Sequence, residues 1–101
     1  MYKYEVLFII RPDVSEEAVD EATEKAQGQV TRNGGIVMAL ENWGSKRLAY
    51  EIQKLTEGIY IKMDIEAPGE VIDMLARHFN LSETVIRHQT IRLDEKKTAT
   101  G

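Results

Sequence analysis

Three features of the 101-residue chain predict an α+β fold, a ferredoxin-like split βαβ sandwich. Four stretches alternate apolar and polar side chains, as strands do. Two others repeat apolar residues every three or four positions, as helices do. Their order is strand–helix–strand–strand–helix–strand. A crossover between parallel neighbours must be right-handed. The arrangement that buries both helix stripes on one face of a four-stranded antiparallel-type sheet is this sandwich. It centres the first and third strands and puts the second and fourth at the edges. The other sheet face is left open to water or a partner.

The first strand is "YKYEVLFII" at 2–10, with Tyr4, Val6, Phe8 and Ile10 on one face. "RPD" ends it, because proline cannot donate a ladder hydrogen bond. The first helix spans 15–33, with Ala18, Ala22, Ala26 and Val30 as a stripe of small residues. Ser15 can cap it, and Asp13 with Glu16 offers a competing capping box. "NGG" at 33–35 ends it, with glycine in the left-handed position.

The second strand spans 36–52. Ile36, Met38 and Leu40 are expected on one face, as are Leu48, Tyr50 and Ile52, with Gly44 marking a bend or bulge. "QKLTEG" is expected as a loop. The third strand, 59–66, alternates Ile59, Ile61, Met63 and Ile65 with Tyr60, Lys62, Asp64 and Glu66. Lys62 is thereby expected to be an ordinary surface residue. The second helix covers about 69–80, and "TVIRHQTIRL" at 84–93 is the last strand. Residues 1–93 are expected to form one domain and 94–101 a flexible tail.

Composition excludes several functions. There is no cysteine, so disulfides and thiolate metal sites are ruled out. The longest apolar run, Val6 to Ile10, is far below the roughly 20 residues of a membrane span. No signal peptide opens the chain, so a cytoplasmic address is expected. Net charge is −4, the wrong sign for most nucleic-acid binders, but the charge is uneven. Residues 13–24 hold six acids, whereas nine Lys/Arg follow from Lys46 onward. Acids on a solvated helix and cations facing a partner would satisfy that pattern.

Catalytic readings fare badly. No serine stands beside a histidine with an orienting acid, and no glycine-rich loop cradles a phosphate. His78 suits a helix C-terminus. His88, inside the last strand, could line the core or meet RNA. No metal-ligand spacing exists, and no cofactor is expected. An acylphosphatase-type hydrolase would need an anion-cradling loop after the first strand, and "RPDVS" is a poor one. A regulatory domain dimerising through its open sheet is a third possibility.

Strand-borne cations are harder to dismiss. Lys3, Lys46, Arg47, Arg87 and Arg92, with aromatic Tyr2, Tyr4 and Trp43, are the residue types that hold RNA by phosphate pairing and stacking. On composition alone they serve equally well as gatekeepers on exposed edges.

At "WGSKRLAYEI", residues 43–52, the chain resembles the bacterial small-subunit ribosomal protein S six family. The resemblance runs through "YEVLFIIRPD" at 4–13, "GG" at 34–35, "GIY" at 58–60, "APGEVIDML" at 67–75 and "VIRH" at 85–88. Tyr2-Lys3, Ser45 and Glu51 depart from the family's usual residues. The resemblance implies a ribosomal, cytoplasmic structural protein with no enzymatic activity. It implies binding to the central-domain platform of small-subunit ribosomal RNA, as a heterodimer with ribosomal protein S eighteen. The five cations are then the expected RNA contacts, and Trp43, Leu48 and Tyr50 the expected partner-protein interface. Neither a membrane nor a small-molecule substrate is expected.

Overall fold

Alternation in the first strand is realised in a computed structural model that describes residues 1–93; the tail expected over 94–101 lies outside the described residues. The elements are β1 (Tyr2–Ile10), α1 (Glu16–Thr31), β2 (Ile36–Ile52), β3 (Leu55–Ala67), α2 (Gly69–Leu81) and β4 (Val85–Arg92). The strand order is β2-β3-β1-β4, with every neighbouring pair antiparallel. This is the ferredoxin-like arrangement, with β1 and β3 central.

The core lies between the sheet and the two helices. Val6, Phe8 and Ile10 from β1 and Ile61, Met63 and Ile65 from β3 are buried there. Val19, Ala26 and Val30 of α1 and Val71, Leu75 and Phe79 of α2 close over them. Phe8 stacks on Phe79 with ring centroids 4.8 Å apart. The Ser15 hydroxyl caps α1 by accepting from the Ala18 N–H at 3.1 Å. Asp13 pairs instead with Arg11, so no capping box forms.

Four local expectations are corrected. Ile36, Met38 and Leu40 do not share a face. Register shifts between Val37 and Ala39, and between Asn42 and Gly44, each leave one unopposed residue, Met38 and Trp43. Val37 opposite Ile65 and Leu40 opposite Met63 therefore look toward the helices, while Ile36 opposite Glu66 does not. The expected loop at 53–58 shrinks to a two-residue turn. Ile52 pairs with Leu55, and Gln53 and Lys54 both take left-handed backbone angles, φ 50° and 66°. That is the geometry of a tight hairpin, usually signalled by Asn or Gly.

Lys62 is not an ordinary surface residue either. Its side chain is 22% exposed, and its ammonium lies 3.6 Å from Glu5, 4.0 Å from Glu41 and 3.8 Å from Asp64. Burial works against its charge, and Asp64, Glu5 and Glu41 outweigh that and raise its pKa. His78 does not behave as a helix-end cation. Burial, then Lys25 and Arg32, lower its pKa and favour the neutral ring.

Candidate nucleic-acid interface

The open sheet face has two unlike halves, and the strand register makes both. Toward the start of β1, Glu5 lies opposite Asp64, Lys3 opposite Glu66, and Glu41 of β2 opposite Lys62. This half is acidic around two lysines, Lys3 and Lys62. Toward the end of β1, Leu7, Ile9, Tyr60, Arg87 and Gln89 form the floor. This half is apolar, aromatic and cationic.

The far part of the β2–β3 hairpin bends over that second half. Leu48, Tyr50 and Ile52 line a cleft together with Leu7, Ile9, Tyr60, Arg87 and Gln89. Gly58 makes the close approach possible. A Cβ there would stand 2.3 Å from Ile9 Cγ2 and 3.4 Å from Leu48 Cδ2. Only the missing side chain lets the strands cross so tightly. Leu48 is consequently 7% exposed, spent within the chain, whereas Tyr50 is 55% exposed. Tyr50 spans to the opposite edge. Its ring lies under the Arg87 guanidinium, 5.1 Å from centroid to Cζ, and Arg87 Nη1 donates to its hydroxyl.

The five expected cations fall into two groups. Lys46, opposite Gly58, and Arg47, opposite Glu57, belong with Arg87 at the hairpin end. Lys3 and Arg92 lie at the other end of the sheet. Arg87 and Arg92 are five positions apart on β4, about 17 Å of strand at 3.4 Å per residue. Arg92 sits over the Tyr2 ring at 3.7 Å.

β2 is an edge strand with large apolar side chains in solvent. Ile36, Met38, Leu40 and Trp43 are all exposed, Trp43 by 43%. The Trp43 indole N–H donates to Glu41 Oε1 at 2.8 Å. Of the expected protein-interface residues, Trp43 and Tyr50 present free surface and Leu48 presents little.

The remaining titratable groups have local duties. His88 lies opposite Phe8 on the helix side of the sheet. Its Nε2 is 3.0 Å from Asn80 Oδ1, its ring is 5.2 Å from Phe79, and burial lowers its pKa. It lines the margin of the core. Arg11 holds both carboxylate oxygens of Asp13, at 3.0 and 3.3 Å, so it is not a free anion cradle.

Sequence reasoning missed the carboxylate hub around Lys62 and the Tyr50–Arg87 pair. Alternation puts Lys62 and Asp64 on one face, but Glu5 and Glu41 arrive from other strands. Arg87 and Tyr50 are 37 positions apart, and no local pattern joins them.

The family model described as "Ribosomal protein S6" matches residues 3–92. The chain is 39% identical over 94 residues to small ribosomal subunit protein bS6 of Acidobacterium capsulatum, covering 93% of this chain and 67% of the relative. It is 39% identical over 95 residues to the protein of the same name from Clostridium acetobutylicum, covering 94% of this chain and 100% of that one. The crystal structure of 30S ribosomal protein S6 from Thermotoga maritima superposes with a TM-score of 0.89 at 28% identity, covering 98% of this chain and 94% of that chain. Matching sequence from end to end of the described fold, and the same backbone, make this chain a member of the ribosomal protein S6 family, a structural and non-enzymatic component of the small ribosomal subunit.

Proposed function

We propose that the chain binds small-subunit ribosomal RNA at the central-domain platform, as a heterodimer with ribosomal protein S eighteen. The observation that carries this reading is the division of its surface. Lys46, opposite Gly58, and Arg47, opposite Glu57, lie in the hairpin arm that bends over the open sheet, and Arg87 lies in the cleft beneath that arm, beside exposed Tyr50 and half-buried Tyr60. Glu16, Glu17, Asp20, Glu21 and Glu24 lie on α1, which packs on the other sheet face. Phosphate is attracted to the first region and repelled by the second. Lys3 and Arg92 lie at the far end on opposite faces, Lys3 on the open one and Arg92, opposite Tyr4, on the helix side, so each would be a separate, peripheral contact.

The protein partner belongs on β2. An edge strand has unpaired backbone groups, and apolar residues exposed along it suit a protein neighbour better than water. A basic partner also resolves the net charge of −4, by adding cations of its own.

The experiment is a titration of a central-domain ribosomal RNA fragment with the chain, alone and with purified S eighteen. Weak binding alone and tight binding with the partner is the expected result at physiological salt. Arg87→Ala should weaken the ternary complex and Glu21→Ala should not. Equal losses from both would overturn the assignment of faces, and tight binding by the chain alone would overturn partner dependence.

A further inference from the structure

The Arg87 guanidinium is already engaged before any RNA arrives. Its Nη1 donates to the Tyr50 hydroxyl and its Cζ lies 5.1 Å from the Tyr50 ring centroid. Among the described residues, Nε and Nη2 make no hydrogen bond. A guanidinium is a planar fork of five N–H donors, and it grips a phosphate or a base edge with two of them at once. Tyr50 thus occupies one donor and leaves a gripping pair unspent.

The pairing is not a neighbour effect of the sheet. Arg87 lies on one edge strand and Tyr50 on the other, with β3 and β1 between them. Tyr50 reaches across only because Gly58 admits Leu48 and the hairpin onto the open face. From this geometry we propose that Tyr50 is a positioning residue for RNA binding. It holds the Arg87 guanidinium in place, so that RNA meets an oriented donor rather than a mobile side chain. An arginine held in its binding rotamer gives up less freedom on binding, and affinity rises accordingly. This inference rests on the RNA-binding reading of Arg87.

The test compares wild type, Tyr50→Ala, Tyr50→Phe, Arg87→Ala and the Tyr50→Ala/Arg87→Ala double variant. Each is titrated against the same central-domain RNA fragment across a range of salt, with S eighteen saturating. Saturation removes any loss of partner affinity from the comparison. Circular dichroism and amide exchange over residues 46–58 report whether the hairpin stays folded. Arg87→Ala should lose affinity severalfold and flatten the salt dependence by about one unit of slope. Tyr50→Ala, which removes no charge, should lose a similar factor. The double variant should lose no more than Arg87→Ala alone, and Tyr50→Phe, which keeps the ring, should fall between. A residue that merely holds the hairpin in shape would add its loss to that of Arg87. Independent losses in the double variant, or wild-type affinity in Tyr50→Ala beside a weakened Arg87→Ala, overturn the positioning role and leave Arg87 as an RNA contact. Wild-type affinity and slope in Arg87→Ala overturn both. Should Tyr50→Ala loosen the hairpin, Tyr50→Phe decides: it keeps the ring and removes only the hydroxyl, and its loss must vanish in an Arg87→Ala background.

Discussion

Lys62 and Ile61 are adjacent in β3 and face opposite ways, and the contrast between them tests the register of the whole sheet. Ile61 is enclosed by β1, α1 and α2 side chains. Ile61→Ala should cost about 2–5 kcal/mol, measured by denaturant unfolding. Lys62→Ala should destabilise more than an ordinary surface change, because it leaves Glu5, Glu41 and Asp64 repelling one another. The charge on Lys62 is favoured in the fold. Its contribution is therefore complete below the ordinary lysine range and lost as pH rises through the elevated folded value. His88 works in the opposite sense. Unfolded, it takes up a proton near pH 6.5. Folded, burial beside Phe79 and Asn80 resists that proton. The unfolded chain thus holds more protons below about pH 6.5, and stability falls as the solution is acidified through that window. Melting curves from pH 7.5 to 5 should show this slope, and His88→Gln should reduce it. His78 contributes in the same direction and leaves part of the slope behind.

Among the elements, β1 and the two helices were legible from periodicity, because each buries one face and nothing interrupts its repeat. β2 was legible only in its limits. Its register shifts three times, at Met38, at Trp43 and between Arg47 and Ile52, and a shift of one residue exchanges the faces. The turn at Gln53-Lys54 escaped detection because it lacks the residues that take left-handed angles without strain. Strain of that kind costs on the order of 1–3 kcal/mol per residue. Gln53→Asn with Lys54→Gly should therefore stabilise the hairpin, seen as slower amide exchange over 46–58 and a higher Tm. Gly58→Ala should do the reverse, because its methyl would strike Ile9 and lift the hairpin from the open face. The amphipathic signal of the candidate site was half visible: Lys46, Arg47 and Arg87 stand out in sequence, but their common end of the sheet is set by tertiary register. Lys3 and Arg92 look equivalent to them in sequence and lie elsewhere.

At the scale of the molecule, charge is sorted by surface rather than balanced. Acids crowd α1 and half of the open sheet, and cations hold the hairpin end. Such a body approaches RNA in few orientations, since every other one is repelled. Association of the proposed heterodimer with RNA should slow steeply as salt rises, in stopped-flow measurements. Reversing Lys46 and Arg47 to glutamate should lower the association rate more than reversing any two acids of α1 to lysine.

The exposed apolar edge of β2 has a consequence for supply as well as for docking. A strand edge carrying Ile36, Met38, Leu40 and Trp43 in water is adhesive to any other unpaired strand, including that of an identical molecule. Copies made in excess of the proposed partner would pair with one another along it. Sedimentation equilibrium of the isolated chain should show an average mass that climbs with concentration. Met38→Lys, a charge on an unopposed and exposed residue, should hold the mass at that of the monomer without lowering Tm. If the proposed partner docks on β2, adding it should do the same for the unaltered chain, and matched production of the two proteins would itself keep this edge from aggregating.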